Sequence, residues 1–289
     1  RAARARSAGM SWLPRELVLA LIALGIVTLG YWLLIASEGV YLGRRVVIWL
    51  YDLYAGRYDD IKRYSDEYDH MLLAQPIMVG VAPVKNPLVL DVATGTARLP
   101  LALLRHRGFQ GHIVGVDLSR RMLSHAAYKL GGDRRVTLIW SPAERLPFGD
   151  ATFDVVSCLE ALEFMVDERA VLREIARVLR PGGLLLTTNR INTRLMPGKT
   201  WSDAQMQAEL EALGIEDVSV EVWQVDYNRV WGRKAGTSTP TLARPLAEIL
   251  RCPRCRQALL VEHGDGWGCP NCHFHAPVIA DGVIEMVSH

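Results

Sequence analysis

The most uniform pattern in the chain is an apolar run near its start. Residues 17–35 contain no charged side chain. As a helix they would be about 28 Å long, close to the hydrocarbon thickness of a bilayer. A buried core helix would need protein on every side, and a cleaved signal peptide would need a small-residue cleavage site, which does not close this run cleanly. The pattern therefore predicts a retained transmembrane helix within a first segment, residues 1–39.

The next segment, residues 40–87, is predicted to form amphipathic and lid helices. Residues 40–54 combine large apolar side chains with Arg44 and Arg45. This combination fits a helix lying along a membrane surface and equally a helix packed against the rest of the protein, so both interpretations stay open. Residues 55–71 are rich in tyrosine and aspartate.

From residue 88 onward, short apolar runs alternate with helical stretches, which predicts a parallel sheet covered on both faces. The predicted strands are 88–92, 112–117, 135–140, 153–158 and 183–188, followed by a terminal hairpin, 218–225 and 227–233. The predicted helices are 98–107, 119–130, 167–180 and 202–213. Together these elements define a domain over residues 88–235.

A turn of small residues follows the first predicted strand, with Gly95 at its centre. Such a turn lets a ligand lie close to the backbone, and the helix that follows directs its free N–H groups to the same place. Asp117 ends the second strand about twenty residues later, which is the spacing of a carboxylate that accepts hydrogen bonds from ribose hydroxyls. The sequence therefore predicts a nucleoside-binding site at this edge of the sheet.

Five segments that occur in one order extend this pattern: Asp91–Ala97, Val114–Ser119, Ala143–Phe148, Phe153–Ser157 and Leu179–Gly183. Together they resemble the class I S-adenosylmethionine-dependent methyltransferases, most nearly the branch with the ubiquinone and menaquinone C-methyltransferases. The resemblance covers roughly residues 51–234. It implies an α/β fold with a seven-stranded Rossmann-like methyltransferase sheet whose last strand is antiparallel.

The resemblance also implies a set of site residues and no catalytic dyad, because methyl transfer to a nucleophilic acceptor mainly requires alignment in a dry pocket. The residues expected at S-adenosylmethionine are Asp91, Ala93, Thr94, Gly95, Thr96, Asp117, Leu118, Met122, Ala143 and Cys158. Tyr58 and Tyr64, on a lid helix, and Glu160 and Glu163, after the fourth strand, are candidates for the acceptor side. Each glutamate is expected either to act as a base or to be solvated.

Two positions depart from the family pattern. Ala97 stands where a third glycine is usual, and Pro142 stands where an aspartate commonly contacts the adenine amine. Two hypotheses are therefore carried forward. The first is a membrane-anchored methyltransferase with a lipophilic acceptor such as a quinone, pigment or lipid; the second is a non-catalytic accessory subunit of a larger membrane complex.

The charges that flank the apolar run favour a membrane orientation different from the one that a methyltransferase would require. Four arginines precede the apolar run and two follow it, which slightly favours a cytoplasmic N-terminus. That arrangement would place the large domain away from the cell's S-adenosylmethionine. Because long domains influence topology through their own folding, we expect a single-pass membrane protein with its large domain in the cytoplasm.

The last segment carries four of the five cysteines. After a polar linker, residues 236–243, two Cys-x-x-Cys pairs, Cys252/Cys255 and Cys269/Cys272, are separated by thirteen residues. Four thiolates at this spacing favour tetrahedral Zn²⁺; two disulfides, an iron–sulfur centre and a ribbon without metal are the alternatives. Residues 244–289 resemble the small zinc-ribbon proteins that activate tRNA and protein methyltransferases. The ribbon is expected to be a brace or a docking surface.

Composition and net charge limit the classes of binding partner that are expected. Half of the 289 residues are hydrophobic and 22% are charged, which is ample for a sizeable core. The formal net charge is only +2, too small to attract nucleic acid by bulk electrostatics. No basic patch interleaved with aromatic residues is apparent in the sequence, so a nucleic-acid partner is not expected.

Overall fold

The computed structural model describes residues 14–62, 64–191 and 196–287. The apolar run forms helix α1, Arg15–Tyr31, which continues into a π-helical turn, Trp32–Ala36. The most apolar 18-residue stretch of these residues has a mean hydropathy of 2.5 and is not buried at all. By length and composition the helix could cross a membrane. The tail, residues 1–13, lies outside the described residues.

Four helices follow before the sheet, namely α2 (Arg44–Tyr54), α3 (Tyr58–Lys62), α4 (Asp66–Asp69) and α5 (Gln75–Val81). Helix α2 has one face buried through Val47 and Leu50. On another face Trp49 and Leu53 are 57% and 56% exposed. The helix therefore packs on the protein and at the same time presents apolar side chains outward.

The central sheet is built as the apolar runs predict, with one strand more than expected. Its strands are β1 (Leu88–Val92), β2 (His112–Asp117), β3 (Val136–Trp140), β4 (Phe153–Cys158), β5 (Leu179–Arg190), β6 (Ile215–Val222), β7 (Tyr227–Lys234) and β11 (Ile284–Glu285). Their order is β11-β3-β2-β1-β4-β5-β7-β6. Strand β7 is antiparallel to both β5 and β6, as the terminal hairpin predicts.

Helices cover both faces of this sheet because its central strands are apolar on both sides. Every residue of β1 and β4 is buried, which is typical of the middle of a parallel sheet. The covering helices are α6 (Arg98–Arg105), α7 (Arg120–Leu130), α8 (Glu168–Val178) and α9 (Asp203–Ala212). The carboxyl ends of β1, β2, β3 and β4 consequently meet at one edge, where the predicted site lies.

The C-terminal segment is continuous with the core of the sheet domain. It forms a small antiparallel sheet of β8 (Val261–His263), β9 (Gly266–Gly268) and β10 (His275–Pro277). Its Leu250, Trp267 and Phe274 belong to the same hydrophobic cluster as Phe148 and Phe153. Strand β11 then pairs in parallel with β3. The prediction of seven strands was short by one because this two-residue strand comes from a distant part of the chain.

The predicted linker is held to the sheet domain by one buried carboxylate, that of Asp154. It accepts hydrogen bonds from the backbone N–H groups of Leu88, Thr241 and Leu242, at 2.9, 2.8 and 2.9 Å. It also receives the Arg180 guanidinium Nε at 2.6 Å. One side chain therefore joins the start of β1, strand β5 and the linker.

We expect Asp154→Ala to lower the free energy of unfolding by about 3–5 kcal/mol, since it leaves the Arg180 guanidinium buried without its partner. The matched control is Asp150→Ala, whose side chain is 81% exposed and pairs with Arg177. That change is expected to cost no more than about 0.5 kcal/mol. Urea denaturation of both variants measures the difference, and equal small effects would contradict the role given to Asp154.

Candidate cofactor cleft and metal centre

The turn after β1 is stabilised by backbone hydrogen bonds in an unusual conformation. Ala93, Gly95 and Ala97 have φ angles of +56°, +54° and +68°, in the left-handed region. The Thr94 N–H donates to the carbonyl of Val116 at 3.0 Å, which ties the turn to β2. A Cβ built on Gly95 would meet no atom within 4 Å, because the residue borders open space. The backbone at Gly95 is therefore accessible to a ligand.

Asp117, at the end of β2, stabilises the same turn. Its Oδ2 accepts the Gly95 N–H at 2.8 Å and its Oδ1 accepts the Ser119 N–H at 2.7 Å. Each carboxylate oxygen has a second lone pair, so the group can also accept from the two hydroxyls of a ribose. Ser119 in turn caps α7 by accepting the Met122 N–H. The carboxylate thus positions the turn and the start of α7 together.

The carboxyl groups at this edge are strongly affected by burial. Burial raises the pKa of Asp91 to about 6, although hydrogen bonds from the Ser157 and Thr94 hydroxyls, at 2.6 and 2.7 Å, lower it. Burial also raises the pKa of Asp117, against the backbone N–H groups of Ser119 and Gly95. Asp91 accepts its bonds from neighbouring strand and turn residues, whereas Asp117 faces the cleft.

A cleft of about 800 Å³, counting the part open to solvent, lies over this turn. It brings together six of the residues expected at the cofactor: Ala93, Gly95, Asp117, Leu118, Met122 and Ala143. Asp91, Thr94 and Thr96 lie beside it, lining a smaller adjoining cavity with Gly95. Cys158 lies apart from both, fully buried in the core, where burial raises the pKa of its thiol.

The candidate acceptor residues are buried and paired, so neither glutamate is solvated. Glu160 lines the cleft, is 6% exposed, and contacts Arg98 Nη1 at 2.5 Å and Lys62 Nζ at 3.2 Å. Glu163 lies outside the cleft lining, where it accepts from Tyr227 and lies 3.3 Å from Arg190. Burial raises the pKa of Glu163.

The lid is fastened to the sheet domain through Arg98, the first residue of α6. Its guanidinium forms a two-pronged contact with Asp69 of the lid, with Nε–Oδ1 at 3.0 Å and Nη2–Oδ1 at 2.7 Å. It also lies 4.0 Å from the ring centroid of Tyr64. Tyr64 packs edge-on against Tyr58, which lines the cleft. Both tyrosines are half-buried, and Tyr58 begins α3, whereas Tyr64 lies between α3 and α4 and not on a helix as expected.

The inner face of α2 is a part of the site that the sequence reasoning did not identify. Arg44, Val47, Ile48 and Tyr51 line the cleft. Their spacing of three, four and seven residues is a helical stripe, so the amphipathic period was the signal that could have found them. Arg44 also pairs with Glu144 across the cleft at 3.1 Å.

The two departures from the family pattern leave the cleft open. The methyl of Ala97 packs away from it, in a cluster with Leu123, Ala126 and Leu138. Pro142 does not line the cleft, whereas its neighbours Ser141 and Glu144 do. Hydroxyl and carboxylate acceptors are therefore present close to the position of the missing aspartate.

The four ribbon cysteines form a second candidate site, which could hold a metal ion. Their Sγ atoms all lie within 4.8 Å of one another. The Cys252–Cys272 and Cys255–Cys269 pairs are separated by 3.5 and 3.6 Å, which is too long for disulfides. Ligands about 2.3 Å from a tetrahedral zinc ion lie roughly 3.8 Å apart, so the arrangement fits zinc.

The sheet order, with a cleft at the carboxyl ends of the strands, is that of a Rossmann-like α/β methyltransferase fold. Residues 90–187 match the family model described as a methyltransferase domain. The demethylmenaquinone methyltransferase of Staphylococcus saprophyticus is 31% identical over 132 residues, 46% of this chain and 57% of that protein. The 27-O-demethylrifamycin SV methyltransferase of Amycolatopsis mediterranei is 32% identical over 142 residues, 48% and 51% of the two chains. This chain spans about half the length of these curated relatives.

Solved structures share the fold at lower identity. The cyclase SpnF is 18% identical with a TM-score of 0.55, covering 68% of this chain and 98% of its own. A chain from the complex between the Haloferax volcanii Trm112 methyltransferase activator and a methyltransferase is 21% identical, with a TM-score of 0.50 and coverage of 64% and 97%. At these identities the likeness shows the fold alone.

Two glycines make a matched test of the cleft. Gly95 and Gly131 have φ angles of +54° and +58°, and neither has an atom within 4 Å of a built Cβ. Alanine at either position is expected to cost about 1 kcal/mol of stability. Only Gly95→Ala places a methyl in the cleft, so we expect it to raise the Kd for S-adenosylhomocysteine on the order of tenfold. Calorimetric titration measures this, and equal affinity in both variants would contradict close approach at the turn.

Proposed function

We propose that this protein is a membrane-anchored methyltransferase that transfers a methyl group from S-adenosylmethionine to a lipophilic acceptor of the quinone type. The observation that carries the proposal is the cleft bounded by Gly95 and Asp117. It combines an exposed backbone turn, a carboxylate at the end of the second strand and an apolar floor. S-adenosylmethionine, when bound, supplies an electrophilic methyl group on a sulfonium.

The residues of the chain have binding and exclusion roles in this proposal. Asp117 accepts from the ribose hydroxyls, while Leu118 and Met122 flank the adenine. Hydrogen bonds to a charged group contribute about 1.5–3 kcal/mol each, so Asp117 dominates the polar part of binding. Lid helices α2 and α3 cover the cleft and keep water away from the reacting groups.

The acceptor is proposed to be lipophilic because the apolar helix leads directly into the lid. Only Ser37 to Gly43 separate the turn that ends the apolar helix, Trp32–Ala36, from α2. With α1 in a bilayer, the cleft is held close to the membrane surface, and the domain faces the cytoplasm, where S-adenosylmethionine is available. Demethylmenaquinone methyltransferases among the relatives support a quinone-type acceptor.

The accessory-subunit hypothesis is not favoured. It depended on Ala97 and Pro142 as signs of a degenerate site and on the ribbon as an added docking module. The methyl of Ala97 lies in the core and Pro142 is outside the cleft lining, so neither blocks the cleft. Subunits of a larger membrane complex remain compatible partners of an active enzyme.

The function is tested with the full chain in lipid nanodiscs, S-adenosylmethionine labelled in its methyl group, and a reduced quinone extract. We expect label in the organic phase, and a loss of at least tenfold in kcat/KM for Asp117→Ala. The control is Asp265→Ala, whose side chain is 87% exposed on the ribbon. No binding of S-adenosylmethionine at millimolar concentration would overturn the enzyme proposal.

We further propose that the ribbon binds one Zn²⁺ through Cys252, Cys255, Cys269 and Cys272 and stabilises the edge of the sheet domain. Strand β11 extends the sheet beside β3, and Arg120 pairs with Asp281 and Glu285 at 2.9 and 3.2 Å. The metal has a structural role here, since all four ligand positions are filled by protein.

We expect one zinc per chain by elemental analysis, and its loss in Cys255→Ser. Because the ribbon shares the core of the sheet domain, zinc loss is also expected to lower the thermal midpoint of the whole protein. Cys158→Ala, which removes the one cysteine outside the cluster, should keep the zinc. Isolation of the chain with two disulfides, or with iron, would contradict the zinc assignment.

A further inference from the structure

A second cavity opens at the end of the apolar helix. This groove, as we call it, is lined by Leu34 and Ile35 from that helix, Leu50 and Tyr54 from α2, and Ile61 from α3. It encloses about 880 Å³, counting the part open to solvent. Ile35 and Ile61 are 47% and 57% exposed, so the outer part of the groove is apolar and accessible.

The groove and the cofactor cleft have a common wall. Tyr51 and Tyr58 line both cavities, and their ring centroids are 5.8 Å apart. The Tyr51 hydroxyl donates to Glu38 at 3.0 Å. Two side chains therefore separate a membrane-proximal apolar space from the space over Gly95 and Asp117.

The inner end of the groove is aromatic and carries charges of both signs, those of Lys62, which pairs with Glu160 at 3.2 Å, and of Glu38. The ammonium of Lys62 lies 5.7 Å from the ring centroid of Tyr58 and 5.9 Å from that of Tyr227. Phe164 packs edge-on against Tyr51 at 5.6 Å. Aromatic rings favour contact with a planar aromatic group, while the Lys62 ammonium and the Glu38 carboxylate offer a hydrogen-bond donor and an acceptor to its hydroxyl groups. The fitting occupant has an aromatic head with hydroxyl oxygens and a long apolar tail.

We propose that the groove binds the apolar tail of a prenylated aromatic acceptor, which enters sideways from the bilayer and passes its head into the cofactor cleft by displacing the rings of Tyr51 and Tyr58. This inference rests on the proposed function. It adds that acceptor specificity depends on the tail, through contacts made where the apolar helix meets the lid. Leu34 and Ile35 belong both to the end of the apolar helix and to the lining of the groove.

The test compares two outward-facing apolar residues of equal exposure. Ile61, in the groove, is 57% exposed, and Leu53, on α2 outside the groove lining, is 56% exposed. Full-length Ile61→Glu and Leu53→Glu proteins in nanodiscs are assayed with a reduced naphthoquinone carrying a polyprenyl tail and with the same ring lacking the tail. We expect Ile61→Glu to raise the KM for the tailed acceptor on the order of tenfold relative to the tail-less one. Leu53→Glu should leave this ratio unchanged.

Equal effects of the two substitutions, or equal effects on the two acceptors, would overturn the tail site. S-adenosylhomocysteine affinity is measured in parallel, so that failure of the proposed function appears separately as absent cofactor binding. A photo-crosslinking residue at position 61 or 53 gives a readout independent of turnover. The tailed naphthoquinone is expected to be captured at position 61 only, and capture of phospholipid alone at both positions would also overturn the proposal.

Discussion

The arrangement of the cofactor cleft depends on the Asp117 carboxylate. Its two oxygens accept the backbone N–H groups of Gly95 and Ser119, so one side chain holds the turn after β1 against the start of α7. Burial raises its pKa, because removing a carboxylate from water disfavours the charged form. Because a carboxylate oxygen can accept more than one hydrogen bond and Asp117 lines the cleft, the group that assembles the site can also bind a ribose.

The sheet was predictable because its signals are local. Apolar runs that are buried on both faces, such as β1 and β4, differ from helices in length and composition whatever surrounds them. The same holds for the turn at Gly95 and for Asp117, whose spacing follows from one strand–helix–strand unit. These features require no knowledge of distant residues.

The features that were missed depend on distant residues. Strand β11 is two residues long and exists because the ribbon folds back onto β3. Glu160 was expected to act as a base or to be solvated. It is instead buried in ion pairs with Arg98 and Lys62, which come from other elements of the fold. The inner face of α2 was recognisable as a helical stripe, but its position over the cleft was not. Long-range pairing, rather than local preference, decides such cases.

In the proposed function, the connection between the apolar helix and the helices over the cleft would give the membrane a physical part in the reaction. Methyl transfer requires donor and acceptor to be aligned and dry, and the segment that is proposed to cover the cleft is fastened at two ends. At one end Arg98 pairs with Asp69 and Glu160, buried contacts that hold the lid on the sheet. At the other end α2 follows the apolar helix, so its position depends on how that helix is embedded. A soluble enzyme must close its lid using substrate-binding energy alone, whereas under the proposed anchoring a bilayer would hold one end of the lid in place before the acceptor arrives.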